Sequence, residues 1–217
     1  MIETKRAKKD TVFAYLFSQP EYMLQLYQVL HPEDVEIRGE DLKQITQGNA
    51  QTTERCSEFG FQVRDNLIIL MEAQSELSHG IPMRMLIRLA DAYKDFVEEN
   101  KISLYREKPV TIPRPEFYIV YTGIEEDVPE VLRFSEPGPV EVEVKVLRDN
   151  GSGNILGQYI QFCEVLNKQL KLHGYTDEAL NSAFHSCLEQ GILASFLSGH
   201  MRAVGELVAA MYGKKTP

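Results

Sequence analysis

The sequence predicts an α/β or α+β layer arrangement, and three observations carry it. Residues 58–74 read as a β-hairpin, residues 82–99 as an amphipathic helix, and residues 116–122 and 140–147 as two further strands. The order helix, hairpin, helix, strand, strand calls for a sheet with helices layered on it.

The hairpin comes first in the argument. Phe59, Phe61 and Val63 alternate with polar or small residues, as a half-buried strand should. Arg64-Asp65-Asn66 forms a three-residue loop in which Asn66 can take the left-handed conformation. Side chains alternate with period two, so Phe59, Phe61, Val63, Leu67, Ile69, Met71 and Ala73 share a core face. The other face carries Glu58, Gly60, Gln62, Ile68, Leu70, Glu72 and Gln74. In this register Glu58 lies opposite Glu72, which sets two carboxylates roughly 5 Å apart. A two-residue loop would instead put the acids on opposite faces. Opposed like charges beside an apolar run need either a proton on one carboxyl or a cation between them, and a hard divalent cation takes oxygen ligands of this kind. If no metal were held there, Glu72→Ala would relieve the pair and leave the protein unaffected or more stable.

The remaining elements follow from pattern and punctuation. A helix from about Asp10 to Leu30 carries Phe13, Leu16, Phe17, Leu24 and Tyr27, with Asp10 as N-cap or first-turn acid and a break at Pro20. A short strand is expected near Leu42 to Thr46. Pro82 opens a helix to about Glu99 with Met85, Leu86, Leu89, Tyr93, Phe96 and Val97 as its stripe. Val140, Val142, Val144 and Val146 alternate with charged residues. Asp149 to Asn154 reads as a linker. Helices are expected at Ile155–His173, Asp177–Glu189 with Thr176 as cap, and Ile192–Tyr212. The division drawn from this pattern is a core of residues 1–150 and a C-terminal helical region of residues 151–217.

Charge and cysteines bound the function. Net charge is −9, which argues against a broadly basic nucleic-acid surface. Local basic features remain: an arm with Lys5, Arg6, Lys8 and Lys9, and the pair Arg84 and Arg88 on one helix face. The arm is either a solvated tail or a phosphate contact. The arginines either pair with Asp91 and Asp95 or face a ligand. Cys56, Cys163 and Cys187 have no metal-type spacing, which suits a reduced cytosol. No apolar run reaches the ~20 residues of a membrane span, so a cytoplasmic protein without membrane contact is expected. His79 beside Ser78 and Gly80 is a turn histidine before it is a general base, and Ser75 a strand-end residue before it is a nucleophile.

Four stretches carry a resemblance. They are Lys9-Asp10-Thr11-Val12-Phe13 with Leu16-Phe17, the hairpin ending Glu72-Ala73-Gln74-Ser75, Met83-Arg84-Met85-Leu86, and Pro115 to Gly123. In this order they resemble the PD-(D/E)XK nuclease superfamily, and within it the bacterial recombination-promoting nuclease and transposase family. Gln158-Tyr159-Ile160 and Phe162-Cys163 extend the likeness over nearly the whole chain. The resemblance implies a restriction-endonuclease-like mixed sheet flanked by helices, with a C-terminal helical extension. It implies magnesium-dependent cleavage of DNA, with manganese as a substitute, in recombination or mobile elements.

By the same resemblance Glu58 and Glu72 bind the metal and Gln74 sits near the attacking water. Asp10 is a further metal ligand, Asp65 a substitute for Glu58, and Arg84 with Arg88 a DNA contact. The chain departs from the family at Glu58, where Asp is expected, and Gln74 stands where the wider superfamily has Lys. These departures support the alternative, a degenerate nuclease fold that binds DNA or protein without cutting. The resemblance also suggests a homodimer through the C-terminal helices. A purely structural role for Glu72, hydrogen-bonded by Gln74, is the reading from a different class.

Overall fold

Hydrophobic patterning builds two compact units, residues 38–147 and residues 1–37 with 148–217. The structure, a computed structural model, describes residues 11–45, 57–105, 109–134 and 140–212. One junction falls beside the expected linker. The first helices, expected with the core, group with the C-terminal helices instead: α1 (Val12–Phe17) and α2 (Pro20–Leu30) pack on α6 (Ala194–Tyr212) and α4 (Ile155–His173), respectively.

The sheet unit has six strands among the described residues, in the order β1-β2-β3-β4-β6-β5. They are β1 (Leu42–Gln44), β2 (Ser57–Val63), β3 (Leu67–Gln74), β4 (Arg114–Tyr121), β5 (Val131–Leu132) and β6 (Val144–Leu147). β1, β2 and β3 run antiparallel in sequence; β4 and β6 then continue parallel to β3. The helix α3 (Ile81–Glu99) makes the crossover from β3 to β4. Ile81, Met85, Leu89 and Ala92 lie at helical spacing and pack with Ile68, Leu70, Phe117, Ile119, Val142 and Val144. The opposite face of the hairpin, with Phe59, Phe61, Ile69 and Met71, is also buried. Both faces of β3 are thus buried, and an acid on either one needs a partner.

The hairpin loop has the expected three residues, but Arg64 rather than Asn66 takes positive φ, at 48°. Contacts on both sides hold it. Its N–H donates to the Asp41 carbonyl at 2.8 Å, and Gln62 Nε2 donates to its carbonyl at 2.7 Å. Leu70 Cδ2 would lie 2.8 Å from a Cβ at position 60, so Gly60 leaves room for the Leu70 side chain on that face of the strand pair.

The helical unit contains α1, α2, α4, α5 (Asp177–Glu189) and α6. Its helix breaks follow local chemistry. Pro20 starts α2, and Thr11, rather than Asp10, caps α1 by accepting from Ala14 N at 3.4 Å. Asn154 and Thr176 cap α4 and α5 through their side chains. Aromatic edges fill the interior: Phe13 meets Phe17 and Tyr159, and Phe196 meets Tyr22. Asp10 lies outside the described residues, so its expected role at the metal has no structural account.

Candidate active site

The register places Glu58 directly opposite Glu72 on β2 and β3, with Gln74 one pleat further along the same face of β3. This is the carboxyl end of β3 and lies at the start of the crossover, the end of a parallel sheet where ligands commonly bind. Glu72 is fully buried, at 0% exposure. The Glu58 side chain is 21% exposed.

Two arginines from α3 meet these acids. Arg84 Nη2 donates to Glu72 Oε2 at 3.0 Å, and Arg88 Nη1 to Glu72 Oε1 at 3.4 Å. Arg88 Nε lies 3.7 Å from Glu58 Oε2 and so bridges the two carboxylates. Gln74 Nε2 donates to Glu72 Oε2 at 3.2 Å. The expected conflict is real, and guanidinium groups supply the cation that resolves it. The expectation that a metal-free Glu72→Ala would be harmless is corrected accordingly, because removing Glu72 now leaves arginine charge without its buried partner.

The two arginines are held differently. Arg88 is 8% exposed and is pinned by the strands, donating to the Met71 carbonyl at 3.1 Å and the Phe59 carbonyl at 3.3 Å. Arg84 is 22% exposed, and its second nitrogen donates to Ser78 Oγ at 3.3 Å in the segment that leads into α3. Helical spacing explains both positions. Arg84 and Arg88 are four residues apart, and residue 88 falls within the buried stripe of Ile81, Met85 and Ala92. An arginine at an inward position requires an inward acid. The sequence pattern centres the stripe on Met85, Leu86, Leu89, Tyr93, Phe96 and Val97, which sets Arg88 to one side. The buried face is turned toward Ile81, Arg88 and Ala92 and so brings Arg88 to Glu72 rather than to Asp91 and Asp95.

Asp65 sits in the hairpin loop, at the opposite end of β3 from Glu72, so the strand separates it from this cluster. The far wall of the site is built on β4. Tyr121, the register partner of Gln74, accepts from Glu125 N at 3.2 Å, and Thr122 N donates to the Gln74 carbonyl at 2.9 Å. A Cβ on Gly123 would meet the Ser75 carbonyl at 2.3 Å, so only glycine lets this loop close over the end of β3. Sequence reasoning missed Tyr121 and Gly123 as parts of the site because the parallel register that brings them to Gln74 is long-range.

The donor chemistry suits a hard divalent ion. Two opposed carboxylates offer oxygen ligands, and magnesium is ordinarily held by one or two carboxylates with waters and substrate phosphate completing the shell. No group of three or more His, Cys, Asp or Glu side chains able to hold a metal occurs among the described residues. An ion placed here would meet Glu72 oxygens that already accept from Arg84, Arg88 and Gln74. Among the described residues no helix is long and apolar enough to cross a membrane. Comparison with family models, with curated proteins and with solved structures returns no match.

Proposed function

We propose that this protein is a divalent-metal-dependent DNA phosphodiesterase whose centre is Glu58, Glu72 and Gln74. The observation that carries the reading is the register, which sets two carboxylates face to face on adjacent strands with a glutamine one pleat further on. Glu58 and Glu72 would hold magnesium, or manganese in its place. When bound, such an ion polarises a phosphate oxygen and lowers the pKa of its water. Gln74 donates its amide to Glu72 and can orient a water through its amide oxygen, but it carries no charge and is not a base. Arg84 and Arg88 bring positive charge to a site that must receive a phosphate, in a chain whose net charge of −9 otherwise repels DNA. The finer assignment, a restriction-endonuclease-like nuclease of the recombination-promoting family acting as a homodimer, rests on the sequence resemblance.

The test is nicking of supercoiled plasmid by the purified protein with magnesium, manganese or chelator, beside Glu72→Gln. Metal-dependent nicking that disappears in the variant supports the reading. No nicking, together with no metal binding, overturns it.

One observation favours a second reading. Both Glu72 oxygens accept from arginine, as they would in a nuclease fold that binds DNA without cutting it. That protein would retain DNA equally with chelator present and with Glu72→Gln.

A further inference from the structure

The segment from Asp149 to Asn154 holds the chain's one Asn-Gly step, Asn150-Gly151, and the fold gives both halves of that step a partner. Residues 150–153 are exposed, and Gly151 has a φ of 71°. A Cβ at position 151 would meet nothing within 4 Å, so the step lies open to water. The Gly151 N–H donates to Asp149 Oδ1 at 2.9 Å, and the Ser152 N–H donates to Asn150 Oδ1 at 3.1 Å. The Asp149 carboxylate is itself fixed. Gln161 Nε2 donates to its Oδ2 at 2.8 Å. A Cβ on Gly157 would lie 2.6 Å from its Oδ1, so glycine in the first turn of α4 leaves room for the carboxylate.

We propose that Asn150 is a self-modification site, at which the Gly151 nitrogen attacks the Asn150 side chain and expels ammonia with Asp149 as general base. Nucleophile and target are adjacent in the chain, so the attack is intramolecular, and glycine puts no side chain in its way. Asp149 Oδ1 is within the reach a general base needs and takes the Gly151 amide proton. The nitrogen forms a bond to Asn150 Cγ, and the carbonyl electron pair moves onto Oδ1. The Ser152 N–H already donates to that oxygen, where negative charge develops. On collapse the bond from Cγ to Nδ2 breaks, and Nδ2 leaves as ammonia with the proton that Asp149 took. The cyclic succinimide that remains is opened by water at either carbonyl, leaving an aspartyl or an isoaspartyl residue at position 150. One water is consumed and one ammonia released, with no oxidant and no metal. The product carries a new carboxylate beside Asp149, in the segment whose Asn154 caps α4.

The test incubates the full chain at neutral pH beside a synthetic peptide spanning Val146 to Gly157, and reads both by peptide mapping with isoaspartyl detection. Asn150 should convert in the folded chain at least about tenfold faster than in the peptide, which has no fixed base. Asn181, exposed on α5 and followed by serine, should stay intact over the same time. Added phosphate buffer should speed the peptide and leave the folded chain unaffected, because Asp149 already supplies the base. Asp149→Asn keeps an acceptor for the Gly151 N–H but no base, and should fall to the peptide's rate. Gln161→Leu frees the carboxylate and should lie between. The rate against the peptide and the response to phosphate are read on wild type, so they stand whether or not the variants fold. A folded chain that converts more slowly than the peptide overturns the proposal, since the hydrogen bonds then protect Asn150. Conversion at the peptide's rate, with the peptide's response to phosphate, removes Asp149 as base and overturns it too. An aspartyl product with no isoaspartyl residue refutes attack by the Gly151 nitrogen.

Discussion

Removing Glu72 should destabilise the sheet, although it also removes a like charge facing Glu58. With Glu72→Ala, Arg88 stays buried at 8% exposure and keeps Glu58 at 3.7 Å and the carbonyls of Phe59 and Met71. Arg84, more exposed, can turn toward solvent and contributes little to the loss. Breaking a buried ion pair from one side costs about 3–5 kcal/mol, and the contacts left to Arg88 place this case near 3 kcal/mol. Arg88→Met should cost about the same or more, because it strands a carboxylate of 0% exposure with Arg84 as its remaining guanidinium.

Replacing both partners, Glu72→Met with Arg88→Met, should cost less than the sum of the two single changes by about 2 kcal/mol. The chain has two compact units, so a single global transition is a poor readout. Native-state hydrogen exchange at the amides of β2 and β3 reports the unit concerned. A loss of about 3 kcal/mol should speed exchange there by about two orders of magnitude. Unchanged or slowed exchange in Glu72→Ala would refute the arginine network as the partner of Glu72 and return the site to an unrelieved acid pair.

Gly123→Ala should cost about 1–3 kcal/mol, because its Cβ would meet the Ser75 carbonyl at 2.3 Å; native-state hydrogen exchange in β3 and β4 equal to wild type would refute the close approach at the end of β3. The main-chain N–H of Arg38, and after it the Arg64 guanidinium, hold the Asp41 carboxyl below its usual range. Asp41 therefore adds stability that is present above about pH 4 and is lost as pH falls through its lowered pKa. A carboxyl NMR titration should show a midpoint below 3.8 that rises in Arg64→Ala. Burial pushes the Cys187 thiol up to about 11 and the Cys163 thiol up to about 12. In a variant with Cys56→Ser and Cys163→Ser, the buried Cys187 should react with a disulfide reagent at pH 8 only as fast as the protein opens; stoichiometric labelling within seconds would contradict its burial.

The hairpin was legible because three local signals agreed: alternation in Phe59, Phe61 and Val63, a loop of the right length, and apolar residues returning at Leu67. Its register, Glu58 against Glu72, followed from counting. The valine alternation from 140 to 147 reports burial more faithfully than pairing. Val142 is buried in the core, yet β6 begins only at Val144, where Phe117 and Leu132 supply strand partners. The two-residue β5 has too little length to show a period. The grouping of α1 and α2 with the C-terminal helices depends on contacts more than a hundred residues apart, for which a single sequence holds no local sign. The arginine–glutamate network lies between these extremes. The helix was legible but its buried face was not. The stripe read from Leu86, Tyr93 and Val97 left Arg88 to one side, while packing on the sheet buries Ile81, Arg88 and Ala92 and carries Arg88 to Glu72, the acid already placed beside an apolar run.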